Sequence, residues 1–339
     1  MRIITAWSRP LSVLVVLGLV AAGGFACTEV KEGMEGADKT LSRALGEDPR
    51  YEGLTGAALA DAIYQQGLVL QGEGKDEEAF EHFLDAAERG NAAAAYDLGE
   101  AYNAGRGVDK DLNAGAKWIN AAADRRDPRA LYAVGAALYN GNGVTRDYTR
   151  AAVYLGDAAE QGHAGAQYLL GECYANGRGV TKNLSWAARW YGKAAEQAQA
   201  DGAFSFGVVQ AAGLGLPTNL VAGYAWLDIA GNLGHGKAGE VRAAIANKMS
   251  PAEIERGKTR AKAFTPVTDA AFADKPTVMY VQHSLNRAGF NAGAVDGLMG
   301  PRTRSAISAY LSSQGASTTD PEVTPNLLRR LFEGQQSAA

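Results

Sequence analysis

The sequence predicts an all-α fold, a right-handed solenoid of helix pairs followed by a small three-helix domain. Three observations lead to this prediction. Glycine, aromatic and alanine positions recur every 36 residues through the middle of the chain. Apolar residues between the glycines follow the spacing of a helix. The repeat is lost after Phe264, where a segment with its own helix start and stop signals begins.

Composition excludes one class of partner. The 339 residues are 47% hydrophobic and 21% charged, with a formal net charge of −4, which is typical of a globular protein. A nucleic-acid-binding surface needs concentrated Lys and Arg to meet the phosphate charges. No such basic block is visible, so we expect no nucleic-acid partner.

Residues 1–26 have the layout of a secretory signal peptide. Arg2 and Arg9 precede an apolar run that ends in small residues. Removing this segment takes away two basic residues and no acid, so the net charge becomes −6. Residues 27–57 are polar and would form a tether. These features predict an exported protein of the periplasm or cell envelope.

Cys27 follows the expected cleavage site in the stretch GGFAC. This stretch resembles the lipobox of bacterial lipoproteins, although Gly24 and Phe25 depart from the usual pattern. The resemblance implies that Cys27 carries lipid, and lipid chains would attach the protein to a membrane. The alternative is a soluble exported protein cut by ordinary signal peptidase after Ala26.

The repeat is visible in several columns at the same 36-residue step. A first glycine of a pair lies at 105, 141, 177 and 213, and a second lies at 107, 143, 179 and 215. Each unit predicts two helices, because helical apolar spacing stops at the glycine pair and an N-cap residue type follows. The expected caps of the second helices are Asp111, Asp147, Asn183 and Asn219.

These columns resemble the Sel-one-like (Sel1) repeats, which are related to tetratricopeptide repeats. The motif is carried by Ala166, Leu170, Gly171, Tyr174, Gly177, Gly179, Val180, Ala187, Trp190, Ala194 and Ala195. The match is good from about Ala92 to Ala238, while the last unit has Gln210 and Leu216 where tyrosine and valine are usual. The first unit resembles a plain tetratricopeptide repeat. The solenoid is predicted over residues 58–264, and its last helix has a capping box at Ser250.

The resemblance implies a concave surface that binds another envelope protein or a peptide. Candidate residues on the first helices are Tyr96, Glu100, Asn103, Tyr132, Tyr168, Glu172, Asn176 and Phe204. A column shared by every repeat is also what helix packing requires, so the aromatic positions have this second interpretation. The inter-repeat column that contains His163 and His235 is interpreted as polar and exposed.

The segment after the repeats predicts a linker over residues 265–276, a domain over 277–334 and a tail over 335–339. The first of its three helices should end at Gly289, the second should begin near Pro301, and the third should begin at Pro325. We expect this small domain to be independent.

This domain resembles the peptidoglycan-binding domain of cell-wall proteins. The resemblance is carried by Gln282, Leu285, Gly289, Phe290, Asp296, Gly297, Gly300, Thr303, Ala306 and Tyr310. Met299 and the pair Tyr310-Leu311 depart from it. Candidate ligand-binding residues are Asn286, Asp296, Arg302, Thr303, Arg304 and Tyr310, of which Asp296 and Gly297 should primarily form a turn.

No catalytic or cofactor-binding constellation is found. The four histidines show no metal-ligand spacing, and Cys173 falls in a column of small residues, which predicts burial. We expect no enzyme activity, no cofactor and no metal. The sequence therefore predicts a non-enzymatic adaptor between a protein partner and peptidoglycan. A regulator of a separate wall hydrolase or synthase, and a cryptic wall hydrolase, are the alternatives.

Overall fold

The computed structural model describes residues 49–267, 274–316 and 321–336, and every regular secondary-structure element within these ranges is a helix. The predicted signal peptide, Cys27 and most of the predicted tether lie outside the described residues. No helix in the described ranges is long and apolar enough to span a membrane. The chain divides between Asp147 and Tyr148 into two compact units.

The described part of the first unit begins with a 3-10 turn at Pro49–Tyr51 and continues with five α-helices. Its α-helices are α1 (Gly56–Gly72), α2 (Asp76–Glu88), α3 (Ala92–Ala104), α4 (Leu112–Asp124) and α5 (Pro128–Asn140). Each packs against the next along the chain. This is the helix-pair arrangement that the 36-residue period predicts.

The second unit continues the pattern and then leaves it. Its repeat helices are α6 (Tyr148–Glu160), α7 (Ala164–Asn176), α8 (Leu184–Glu196), α9 (Ala200–Ala212) and α10 (Leu220–Asn232). Two further helices follow, α11 (Ala238–Ala246) and α12 (Pro251–Lys262). The capping box at Ser250 is confirmed, whereas α11 is an extra helix that the sequence analysis did not predict. The α12 helix packs on α10.

The last three helices of the second unit form the C-terminal domain: α13 (Lys275–Arg287), α14 (Pro301–Ser313) and α15 (Pro325–Gln336). They share a core that includes Val281, Leu285, Ile307 and Leu327, all almost fully buried. All three helices occur where the sequence predicts them, although α13 begins at Lys275, within the predicted linker.

The two glycines of each pair have different structural roles. The first ends a helix in the left-handed conformation, as at Gly177 with φ of 69°. The second approaches the preceding repeat. A Cβ on Gly179 would collide with the backbone of Tyr148, the first residue of α6, and Gly107 and Gly215 contact Asp76 and Leu184 in the same way. The glycine pair is therefore a joint between repeats, since it both stops a helix and permits this contact.

Polar caps fix the helix starts. Asp111, Asn183 and Asn219 accept hydrogen bonds from the first turn of α4, α8 and α10, as predicted. The inter-repeat column, interpreted from sequence as merely polar and exposed, also caps helices. Its members Asn91, Asp127, His163 and Gln199 accept from the first turn of α3, α5, α7 and α9, and Asp127 is buried.

Small residues make the repeat core. Ala122, Ala158, Ala194 and Ala230 have no exposed surface, which lets neighbouring helices approach closely. Cys173 is also completely buried, and its burial raises the pKa of the thiol to about 12. This side chain packs as a small hydrophobic group, as the column predicts.

Candidate functional site

In the first unit, the candidate partner-binding face is organised by one arginine. Arg129 lies over the ring of Tyr96, with its guanidinium carbon 4.4 Å from the ring centre. Its Nη1 donates to Asp97 at 2.9 Å, and its Nη2 pairs with Asp127 at 3.2 Å. Tyr64 donates to the other oxygen of Asp97 at 2.7 Å. The aromatic ring of Tyr96 is thus held in place, half-buried, by residues of α1, α3 and α5.

The pKa values in this cluster follow from burial and charge. Burial first, and the neighbouring Asp97 second, raise the pKa of Tyr64 to about 12. Burial also raises the pKa of Tyr96. Both phenols therefore remain neutral donors at physiological pH. Tyr132 is half-buried, and Glu100 accepts from Asn103 at 3.2 Å.

In the second unit the corresponding face has different polar partners. Tyr191 donates to Glu172 at 2.6 Å, and Asn176 donates to the other oxygen of Glu172 at 3.2 Å. The Tyr168 ring lies 6.2 Å from that of Tyr191. Phe204 stacks on His235, with ring centres 3.9 Å apart. The aromatic column is half-buried throughout, so its side chains take part in packing and remain partly exposed.

In the C-terminal domain, Gln282 connects the loop between α13 and α14 to the core. Its Oε1 accepts from the backbone N–H groups of Asp296 and Gly297 at 3.1 and 2.9 Å. Its Nε2 lies 3.0 Å from Asp296 Oδ1 and 3.2 Å from the Thr303 hydroxyl. The side chain is 1% exposed. The bond from Gln282 is the main cause that lowers the pKa of Asp296.

Five of the six candidate ligand-binding residues make bonds or contacts inside the domain, all except Arg302. Asn286 and Asp296 bond loop backbone, Thr303 donates to Ala292 O, and Tyr310 is buried edge-to-face against Phe290. Asp296 and Gly297 form the predicted turn, with Gly297 at φ of 77°.

The two candidate arginines differ. Arg304 donates to Met299 O at 2.6 Å and pairs with Glu322 at 3.5 Å. Arg302 is exposed on α14 and makes no hydrogen bond or ion pair with any residue the structure describes. Arg302 is therefore the candidate whose donors are available to a ligand.

The C-terminal domain packs on one face of α8, which we call the docking face and define by Trp186, Arg189 and Lys193. Trp186 lies 4.7 Å from the Tyr280 ring, centre to centre. Arg189 Nε donates to the Thr277 hydroxyl at 2.9 Å, and Lys193 pairs with Asp274. All three contacts join α8 to α13 or to its N-cap. The domain that the sequence describes as independent is thus held against a repeat.

The docking face was not predicted, although the sequence columns contain a signal for it. Arg189 and Lys193 are buried here, whereas Lys117 and Val153 in the Arg189 column are exposed. Trp186 stands in a column whose other members are Ala114, Arg150 and Ala222. A large aromatic side chain at this position in one repeat alone indicates that another part of the chain covers that repeat.

Next to the docking face, Glu196 lies at the end of α8 beneath the chain that leads to α13. Its backbone carbonyl accepts from Val267 N at 2.8 Å. Burial first, and Asp274 second, raise the pKa of its carboxyl to about 7, while Lys275 and Lys193 oppose the shift. Glu196 therefore titrates close to neutral pH.

This shift predicts a pH effect on stability. A carboxyl whose folded pKa exceeds its unfolded value stabilises the fold fully below the unfolded pKa of about 4.3, and loses that contribution as pH rises through about 7. Glu196→Gln carries no charge at any pH. We expect its melting temperature to exceed that of the wild type by several degrees at pH 8 and to match it near pH 4. Glu240→Gln removes an exposed carboxylate and controls for net charge. An equal gain in both variants would contradict the assignment.

The repeat helices and the C-terminal three-helix domain together define a class: helical repeat proteins that carry a small helical domain at the C-terminal end of the array. The Sel1 repeat model matches residues 57–91, 92–127, 128–163, 164–198 and 203–235, just over half of the chain. The chain belongs to the Sel1 repeat family. The match includes the first repeat, residues 57–91, for which the sequence predicts a plain tetratricopeptide repeat. Residues 274–331 match the model described as "Putative peptidoglycan binding domain".

Two solved structures resemble the chain, and the first of them supports the repeat fold. One is a protective antigen of uropathogenic Escherichia coli that displays an SLR fold, 27% identical over 60% of this chain and 45% of that chain, with a TM-score of 0.53. Another is a Sel1 repeat protein from Oxalobacter formigenes, 33% identical over 55% of this chain and 57% of that chain, with a TM-score of 0.49. The chain thus spans about half the length of these structures. No curated protein sequence matches it.

These matches indicate function at a coarse level only. Sel1 repeats indicate protein–protein interaction, and the C-terminal domain indicates peptidoglycan binding and a location in the cell envelope.

Proposed function

We propose that this chain is a non-enzymatic adaptor of the cell envelope. Its repeat helices hold a protein or peptide partner while its C-terminal domain holds peptidoglycan. The observation that carries the proposal is the combination of five Sel1 repeats and a wall-binding domain in one chain. Binding at two points raises the effective concentration of the partner at the wall without any chemistry. Export by the predicted signal peptide and lipidation of Cys27 would add a membrane attachment.

The partner-binding face is assigned to the half-buried aromatic column of the first helices. The rings of Tyr96 and Tyr168 are each fixed by neighbours, Arg129 in one unit and Tyr191 in the other. Rigid aromatic side chains lose little conformational entropy on binding, which favours them as contact residues. The polar residues beside them differ between repeats, and this variation would set the choice of partner.

Site-specific crosslinking in cells tests the adaptor. A photo-crosslinking residue at Tyr168 should give a discrete adduct, and that adduct should sediment with isolated peptidoglycan. As a control, the same photo-crosslinking residue is placed at Val153, which is 63% exposed on α6, the second helix of its repeat, and should give no adduct. Equal labelling from both positions, or an adduct that remains in the supernatant, would refute the proposal.

A second prediction concerns Arg302 and the binding of the C-terminal domain to peptidoglycan. A guanidinium presents a planar set of donors suited to a carboxylate, and this one has no partner among the described residues. We expect Arg302→Ala to weaken binding to insoluble peptidoglycan by roughly tenfold. Arg287→Ala removes the same charge from an exposed position on α13 and should leave binding nearly unchanged. If the two variants lose affinity equally, only the net charge of the domain matters.

A further inference from the structure

A cavity of about 560 Å³ lies where α8 and the end of α6 approach α15. Its walls include four aromatic side chains, Tyr174, Trp186, Trp190 and Phe332. The Phe332 ring lies 5.3 Å from Trp186 and 5.8 Å from Tyr174, centre to centre. Cavities of this volume, mostly apolar with a few placed polar groups, are typical of small-ligand sites. Both the repeat and the C-terminal domain contribute to the walls, so neither builds the cavity alone.

The floor of this cavity carries a buried cation. Arg189 is only 5% exposed and lies between two indoles, its guanidinium carbon 4.6 Å from the Trp186 ring centre and 4.2 Å from that of Trp190. Its Nε donates to Thr277, while its Nη1 is buried and has no hydrogen-bond partner. Arg189 forms no ion pair with any described residue. Burial lowers the pKa of this guanidinium to about 10.

No nearby acid forms an ion pair with Arg189 in the part of the chain that the structure describes. Asp274 pairs with Lys193 instead. Glu160, also in the cavity wall, is exposed on the end of α6. Arg329, at the α15 side, already pairs with Glu333 at 3.1 Å. A buried charge without a counter-ion is costly to the fold, and such groups are normally paired.

A second donor shares the cavity wall. Trp190 is 3% exposed, and its indole N–H also has no acceptor. Two buried donors without acceptors, one of them cationic, both line the same cavity. The repeat fold does not require the arginine, because its column contains Lys117, Val153 and Ala225. The missing group is therefore an acceptor that carries negative charge.

We propose that this cavity is a binding site for a carboxylate of peptidoglycan, with Arg189 and Trp190 as donors and the aromatic rings facing the attached sugar. A carboxylate matches the planar donors of a guanidinium, and an aromatic face accepts the C–H face of a pyranose ring. Peptidoglycan supplies both in its muramyl peptides. This inference rests on the proposed wall-binding function and adds a site formed jointly with the fourth repeat.

Calorimetric titration of the full chain tests the site. The ligand is the soluble disaccharide tetrapeptide that a muramidase releases from peptidoglycan. We expect saturable one-site binding that becomes roughly tenfold to a hundredfold weaker in Arg189→Gln. Lys117→Gln, at the same position of an earlier repeat and exposed, should bind as the wild type does. The same ligand with its carboxyl groups converted to amides should also bind weakly to the wild type.

A second pair of variants guards against misfolding. Trp190→Phe removes the indole N–H and keeps an aromatic ring, and Trp118→Phe makes the same change in the same column of another repeat. Only Trp190→Phe should lose affinity for the soluble ligand, while the melting temperatures of Trp190→Phe and Trp118→Phe should be comparable. Equal affinity of Arg189→Gln and wild type would overturn the site. A wild-type chain that sediments with peptidoglycan but does not bind the soluble ligand would also overturn the site. Failure to sediment at all would overturn the proposed function itself.

Discussion

Gly179→Ala is expected to destabilise the second unit by about 3 kcal/mol. Gly179 has φ of 73°, a left-handed conformation that costs an alanine roughly 1–2 kcal/mol. The added methyl group would also collide with the backbone of Tyr148, at the start of α6. Backbone atoms cannot move aside as a flexible side chain can, so the joint between two repeats must open. Urea unfolding followed by circular dichroism measures the loss.

Gly234→Ala separates the two causes. Gly234 also has a positive φ, 91°, but a methyl group there would meet nothing within 4 Å. This control should show the backbone strain alone, about 1–2 kcal/mol. If both variants lose the same stability, the second glycine of the pair does not serve the contact between repeats.

Gln282→Leu is expected to remove about 3 kcal/mol from the small C-terminal domain and to abolish its binding to peptidoglycan. Leucine has a similar size but leaves the N–H groups of Asp296 and Gly297 without their acceptor. Each unsatisfied group costs roughly 1–3 kcal/mol when it is shielded from water. The loop between α13 and α14, which precedes Arg302, would then lose its anchor to the core.

Gln314→Leu is the matched control, since Gln314 is exposed just after α14. It should keep both the melting temperature and the binding of the wild type. Should Gln282→Leu retain full peptidoglycan binding, the ligand does not contact the part of the domain that this glutamine organises.

The helix-pair fold was predictable because its determinants are local and recur. A left-handed glycine such as Gly177 and a cap such as Asp111 act within one turn of chain, so their residue types reveal their position. The extra helix α11 lacks both signals: its N-cap position is Lys237, without a side-chain cap bond. Burial in the tertiary structure, rather than local sequence, must stabilise it, as at Ala238.

The candidate sites were predictable only in part. Sequence resemblance correctly pointed to Gln282 as a defining residue of the C-terminal domain but could not give its role, which depends on a loop 14 residues further along the chain. The docking face was not predicted because Arg189 and Thr277 are 88 residues apart and contact one another only in the folded chain. Periodicity describes what repeats share, and Trp186 and Arg189 are where one repeat differs.

Docking changes what the C-terminal domain can do. A wall domain on a free linker would sample many orientations relative to the repeats. Here α13 lies against α8, with Lys193 and Asp274 paired and Trp186 packed on Tyr280. Within the second unit, a partner held on α7 or α9 would therefore have a defined position relative to bound peptidoglycan. We expect this geometry, rather than mere tethering, to distinguish an adaptor from a simple anchor.

Sedimentation of the purified full chain with insoluble peptidoglycan is the decisive test of wall binding without catalysis, with the soluble fraction analysed for released muropeptides. We expect the wild type to pellet with the peptidoglycan, Gln282→Leu to stay in the supernatant, and neither protein to release muropeptides. A wild-type chain that remains in the supernatant, or one that releases muropeptides, would contradict a non-enzymatic wall-binding adaptor.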